Sequence, residues 1–283
     1  MNRIAIITDS SCDLPASLLE KWNIKVVPIR VIYSHGDYRD GIDITPEEVC
    51  DKLHEEIPKT SMPAPKDIIQ TLKLVQDEGY THCIILTVSA ALSGTYNAFK
   101  LIVQDFDMKI EVIDSKGLSW LLGFLAIEVA KMVQDKMNFQ EIIEKIEQTR
   151  QKLMGFFIVD TLEYLKAGGR IGKVAATLGS LLNLKPIISV DEEGKFYPFT
   201  VGRGRKQAIK KMLEPVLKQV ESTKTSLTII HTKAEQEAMM LKERFKKMEN
   251  IVEIYISHIS SSLVVHTGPG LLGLVINTAS SEN

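Results

Sequence analysis

Short runs of β-branched residues alternate along the chain with longer stretches in which apolar positions recur at helical spacing. Runs apolar on both faces point to strands buried in a parallel sheet, and the longer pattern to amphipathic helices. Ile4–Ile7 is the first such run; it ends in Thr8-Asp-Ser-Ser-Cys-Asp13, and Leu14-Pro15 opens a helix. Val26–Tyr33 reads as a second strand, followed by a hairpin turn over 35–41. Thr45-Pro-Glu-Glu48 has the cap residue, proline and acids of a helix start. Lys59-Thr-Ser-Met-Pro-Ala-Pro65 reads as a loop that its prolines keep out of the helical region. A helix over Lys66–Glu78 leads to the strand Cys83–Leu86, the stretch Thr87-Val-Ser-Ala-Ala-Leu-Ser-Gly-Thr-Tyr-Asn-Ala98 and another helical pattern. Lys109–Ile113 is a further strand, and helices follow at about Leu118–Gln134 and Asn138–Leu153.

Near Met154 the texture changes. Phe156–Asp160 reads as a strand and Thr161–Lys166 as a short helix, with Gly168 and Gly169 able to supply a left-handed cap. Val174–Leu182 reads as helical, and Pro186–Val190 and Lys195–Val201 as strands joined by a turn. A basic helix over Lys206–Val220 follows, then a β-α-β unit from Leu227–His231, Glu235–Met248 and Val252–Ser257. His266, beside Gly268-Pro269-Gly270, reads as lying on a rigid loop rather than on an apolar helix face, and that loop runs into an apolar tail. The predicted fold is α/β: an N-terminal domain over 1–153 with a mostly parallel sheet flanked by helices, and a C-terminal α+β domain over 154–283.

Composition narrows the class. Of 283 residues, 45% are hydrophobic and 25% charged, as in an ordinary globular protein. A formal net charge of −2 argues against nucleic acid as a partner. Cys12, Cys50 and Cys83 form no Cys-x-x-Cys pair, which fits reduced thiols and gives no zinc motif. The apolar run Leu118–Ile127 is well short of the ~20 residues that span a bilayer. No signal-peptide pattern opens the chain, so a soluble cytoplasmic protein is expected.

Three strands end in similar chemistry: Thr8/Asp9/Ser10, Thr87/Ser89 and Asp114/Ser115. Open parallel sheets bind ligands beyond those carboxyl ends, although each cluster alone serves equally well as a helix cap. Catalytic motifs fail one by one. Ser93 is preceded by Ala91 and Leu92, so no Gly-x-Ser-x-Gly elbow exists. His-Glu-x-x-His is absent among the six histidines. Gly168-Gly-Arg-Ile-Gly-Lys-Val174 is a short, hydroxyl-less version of a phosphate loop, and Gly202-x-Gly204 lacks its third glycine at Gln207. An anion site is left, with Thr60, Ser61, Ser93 and the N–H groups near Gly94 as donors, joined by His266 or an arginine. Arg170 and Arg203 each stand beside glycines; Arg203 with Arg205 reads equally as a solvated basic face.

Five segments resemble the DegV family in matching order: Thr8-Asp-Ser-Ser-Cys-Asp-Leu-Pro15, Thr60-Ser-Met-Pro-Ala-Pro65, Leu92-Ser-Gly-Thr-Tyr96, Asp160-Thr-Leu-Glu-Tyr-Leu-Lys-Ala-Gly-Gly-Arg-Ile-Gly172 and His266-Thr-Gly-Pro-Gly270. The resemblance implies a binding protein for a long-chain fatty acid, held in a tunnel between or within the two domains. It implies that Thr60, Ser61, Ser93 and Gly94 take the carboxylate with His266 nearby. Arg170 and Arg203 would face the mouth, where an ATP-dependent kinase subunit related to dihydroxyacetone kinases makes an acyl phosphate. Transient membrane contact is compatible with this role. No catalytic residue, metal or cofactor is implied. Met62, Ala64 and Ala90 depart from the more polar family pattern, and Met62 would touch the first carbons of the chain. Leu118–Ile127 and Leu178–Leu184 are candidate tunnel walls, with most of their residues ordinary core. The competing readings are a stand-alone hydrolase or phosphotransferase using Ser93 and His266, and a structural protein whose hydroxyl clusters are only caps.

Overall fold

The computed structural model describes residues 3–177 and 183–278. β1 (Ile4–Asp9) is buried along its whole length, as its two-sided apolar run requires. A short helix, α1 (Ala16–Lys21), returns the chain to β2 (Ile24–Val27), which pairs parallel with β1. The strand expected over 26–33 divides at Pro28. Proline has no N–H for a ladder, and the next amide, Ile29, donates to Ser10 Oγ at 3.0 Å instead. The chain therefore leaves the sheet, and β3 (Arg30–Tyr33) pairs antiparallel with β4 (Gly36–Arg39). α2 (Pro46–Lys52) begins as expected, with Thr45 and Glu48 capping each other's backbone N–H groups. The expected proline-held loop is extended, but as a strand: β5 (Lys59–Ser61) pairs with the other edge of β3.

α3 (Pro65–Asp77), β6 (His82–Thr87), α4 (Thr95–Ile102) and β7 (Lys109–Asp114) complete a four-stranded sheet of order β2-β1-β6-β7, parallel throughout. From β1 the chain moves to one side and then returns to the other, so a crevice opens beyond the carboxyl ends of β1 and β6. α5 (Trp120–Gln134) follows, then α6 (Phe139–Arg150), which stops short of residue 153 because β8 (Leu153–Ile158) begins there.

α7 (Glu163–Ala167) is the expected short helix. The helix expected over 174–182 is a 3-10 segment, Gly172–Thr177, where it is described; residues 178–182 lie outside the described residues. The remaining elements are β9 (Leu184–Val190), β10 (Phe196–Arg203), α8 (Gly204–Ser222), β11 (Thr225–His231), α9 (Glu235–Phe245), β12 (Ile251–His258), α10 (Ser261–Thr267) and β13 (Leu272–Asn277). They form a mixed sheet with β8, of order β10-β9-β8-β13-β11-β12. β11, α9 and β12 make the expected parallel unit, and the apolar tail enters as β13, antiparallel to β8 and β11.

α5 is apolar nearly all round and is buried accordingly. One apolar cluster joins Ile4 and Ile84 of the parallel sheet, Trp120 and Phe124 of α5, and Phe157, Ile188 and Ile230 of the mixed sheet. Trp120 stacks on Tyr255 with ring centroids 4.8 Å apart. Among the described residues, no helix is long and apolar enough to cross a membrane.

Candidate functional site

The site is assembled by α10, whose position is set by buried carboxylates near β1 and β4. Asp13 Oδ1 accepts from the Ser260 amide at 2.8 Å, and Asp40 Oδ1 from the Ser261 amide at 2.9 Å. Negative groups at a helix N-terminus are electrostatically favoured, and here they also satisfy unpaired amides. Ser119 donates to Asp13, and Ser10 to Asp40 at 2.8 Å. Burial still pushes Asp13 up to about 7, against the hydrogen bonds that favour its charged form. The same cause raises Asp9 to about 6, although Asp9 accepts from Ser11 and from the Val88 amide.

Held there, α10 carries His266 in its last turn to β5, where Nε2 lies 2.8 Å from Thr60 Oγ1. The expectation that His266 stands on a rigid loop is corrected: the helix runs to Thr267, and the glycine turn comes after it. Gly268 has φ +67°, and a Cβ there would lie 2.2 Å from the Tyr164 ring, so both conformation and space call for glycine. Burial, reinforced by nearby Arg170, pushes His266 down to about 4 and keeps its ring neutral near pH 7. Its Nδ1 is buried without a hydrogen-bond partner and faces Gly168, where a Cβ would stand 2.0 Å away. Of the two glycines read as caps, Gly169 takes the left-handed conformation at φ +71°; Gly168 does not, and makes room for His266.

Thr60, Ser61, Ser93, Gly94, Arg170 and His266 all line one cavity of about 270 Å³. Ser93 pairs with Thr95 Oγ1 at 2.8 Å and accepts from the Thr95 amide at 3.3 Å, so it steadies the start of α4 while facing the cavity. Gly94 is the N-cap of α4 and lines the same cavity, so the positive end of that helix lies beside it. Arg170 donates to the carbonyls of Leu92, at 3.1 Å, and Gly168. Met62 is half exposed at the rim, and its sulfur would lie 3.7 Å from a Cβ at Gly94. Arg203 stands elsewhere: it is exposed at the head of α8 and does not line the cavity.

Three further hydroxyls that the sequence reading does not single out line the cavity, Ser11, Ser262 and Thr267. Ser11 sits in the first hydroxyl-rich strand ending, which was a usable signal; Ser262 had none beyond a run of three serines. The other two strand endings are structural. Ser89 donates to the Gly194 carbonyl at 2.8 Å, and Asp114 accepts from the Ala90 and Lys116 amides at 3.1 and 2.8 Å.

A second cavity of about 40 Å³ shares Leu118, Phe196, Leu263 and Thr267 with the first. Its other walls are almost wholly apolar and include Leu121, Phe157 and Ile230. Of the segment Leu118–Ile127, only Leu118, Ser119 and Leu121 reach the cavities, while Trp120, Leu122 and Leu125 are fully buried core. The second candidate wall, 178–184, lies mostly outside the described residues. Ser93 pairs with Thr95 and His266 with Thr60, so these two residues do not form a serine–histidine dyad with each other.

The class is an α/β fold with a hydroxyl-lined pocket at the switch point of its parallel sheet and an apolar one beside it, a combination of surfaces that matches a small amphipathic molecule. The family model of DegV, described as an uncharacterised protein family, matches residues 3–279, and the chain belongs to the DegV family. A DegV domain-containing protein of Clostridium acetobutylicum is 42% identical over 277 residues, covering 98% of this chain and 99% of that protein. The structure of a fatty-acid-binding DegV family protein from Thermus thermophilus superposes with a TM-score of 0.91 at 30% identity, over 98% of this chain and 99% of that one. A stearic-acid-binding protein from Eubacterium ventriosum gives 0.87 at 27% identity, over 98% of each.

Proposed function

We propose that this protein binds a long-chain fatty acid and presents its carboxyl group to an ATP-dependent kinase subunit in the cytoplasm. The observation that carries the reading is the adjacency of a hydroxyl-lined pocket and an apolar one, which share Leu118, Phe196, Leu263 and Thr267 as walls. In this reading the carboxylate accepts hydrogen bonds from Thr60, Ser61 and Ser93 and from amides at Gly94, while His266 orients Thr60. Donors arranged in this way offset the desolvation of a buried carboxylate.

The division of labour follows from magnitudes. Burying a chain of about 16 carbons at ~0.8 kcal/mol per methylene contributes on the order of 10 kcal/mol. Each charge-assisted hydrogen bond adds roughly 1.5–3 kcal/mol. The tail therefore sets affinity and the hydroxyls set orientation. Arg170, beside His266 in the pocket, would meet the transferred phosphoryl group, and exposed Arg203 would meet the kinase subunit. Fatty-acid binding by the Thermus and Eubacterium proteins supports the ligand class.

Native mass spectrometry of the purified, untagged chain tests this reading. A co-purifying fatty acid of about 16 carbons is the expected result; protein that is consistently empty and takes up none when offered it would refute the proposal.

A further inference from the structure

The carboxyl ends of β11 and β12 carry a cluster that lipid binding does not use. These strands run parallel with His231 opposite His258, and the two imidazole centroids are 4.4 Å apart. Glu235 opens α9, immediately after β11. One ligand atom from each of His231, Glu235 and His258 lies within 4.8 Å of the others, and His231 Nδ1 is 4.0 Å from Glu235 Oε1. The His231 side chain is only 3% exposed, and its Nδ1 has no hydrogen-bond partner. Leaving a buried polar atom unpaired is unfavourable, and this nitrogen, beside a carboxylate and a second imidazole, lacks a partner that a metal ion would supply. Glu47, in the first turn of α2, lies 3.5 Å from His258 Nδ1. The neighbouring cation, Lys233, is engaged by Asp51 at 3.1 Å.

We propose that His231, Glu235 and His258 form a site for a divalent transition-metal ion, with Zn²⁺ the best match. Two imidazoles and one carboxylate are the donor set of zinc and its neighbours, whereas magnesium and calcium select oxygen ligands. Zinc bonds of about 2.0–2.2 Å place tetrahedral ligand atoms roughly 3.4 Å apart. The present spacing closes to that by side-chain rotation of His258 and Glu235, both of which are exposed. Glu47 supplies the carboxylate that orients a ligating histidine or completes the coordination sphere. Because α2 packs against α10, an ion here would brace the mixed sheet against the elements that hold His266. The ligands lie on three elements and use neither Cys-x-x-Cys nor His-Glu-x-x-His, so motif searching passes over them.

The test uses chelator-treated full-length chain with any histidine tag removed. Zn²⁺ is titrated calorimetrically, and Co²⁺ serves as a spectroscopic probe. The wild type is expected to take up one Zn²⁺ per chain and to give the intense visible absorption of four-coordinate Co²⁺. His258→Gln and Glu235→Gln, both exposed and so tolerated by the fold, should each weaken Zn²⁺ by more than 10-fold and abolish the Co²⁺ band. Glu47→Gln should cost about 10–100-fold. Fatty-acid content should be unchanged in all three variants, which separates this site from the lipid reading. Absence of saturable Zn²⁺ uptake by the wild type would overturn the proposal, as would unchanged affinity in both His258→Gln and Glu235→Gln.

Discussion

At the polar end of the cavity, Thr60 comes from a three-residue edge strand, Ser93 from the turn before α4 and His266 from the last turn of α10. At the apolar end, Leu118, Leu121, Phe157 and Ile230 belong to α5 and its approach and to the mixed sheet, continuous with the main core. The first end depends on hydrogen bonds whose geometry is set from far away in sequence, through Asp13 and Asp40. The second depends on shape alone. In the proposed function, specificity for a carboxyl group and affinity for a chain would thus be built from different materials, and changes that damage one should spare the other.

The largest separation should come from filling the boundary that the two ends share. Leu118→Trp would displace about five methylenes' worth of burial, roughly 4 kcal/mol or a thousandfold in affinity. Loss of co-purifying lipid with an unchanged circular dichroism spectrum is the outcome to look for.

Next in size is a contrast in pH dependence. His266 is held near 4, below its ordinary 6.5, by burial. Its contribution to stability is complete above about pH 6.5 and is lost as pH falls through about 4, some 3 kcal/mol in all. Asp9 and Asp13 are raised to about 6 and about 7. They bind protons in the folded chain that the unfolded chain has released, so their contribution is greatest below their ordinary value and declines as pH rises to about 7. Denaturant unfolding across this range should show His266→Gln removing the acid-side loss and Asp13→Asn removing the opposing trend. Identical pH profiles for the two variants and the wild type would contradict these assignments.

Smaller effects are expected at the head group itself. Thr60→Val and Ser93→Ala should each weaken lipid binding by about 1.5–3 kcal/mol, read by competition with a fluorescent fatty acid, with tail-length preference preserved. The smallest effect on lipid belongs to Arg203→Ala: none in binding, and a loss only in acyl-phosphate formation once the proposed kinase subunit is added.

Much of the polar end was legible in the chain because its residue types announce chemistry. Hydroxyls beside Gly94, or held extended by Pro63 and Pro65, have few purely structural uses in combination, and the cavity brings Thr60, Ser61, Ser93 and Gly94 together. The apolar end was not legible. Leu121 lines a cavity and Leu122 fills the core one position away, and nothing in either residue separates the two fates. Strand pairing was also hidden. The division at Pro28 and the recruitment of 59–61 as a strand depend on partners distant in sequence, and so does the placement of α10. For Arg203 the flanking glycines do not distinguish the two open readings, pocket mouth or solvated face; the fold puts it exposed at the head of α8.

The central claim is that a fatty acid lies with its carboxylate among Thr60, Ser93 and Gly94 and its tail beyond Leu118. Carbon NMR of a bound 1-¹³C-labelled fatty acid reads that carboxylate directly. The account expects one sharp resonance that stays charged well below the pH at which the free acid protonates, and that shifts in Thr60→Val and in Ser93→Ala. A resonance that titrates like the free acid and is identical in both variants would place the carboxyl group in solvent and contradict the account.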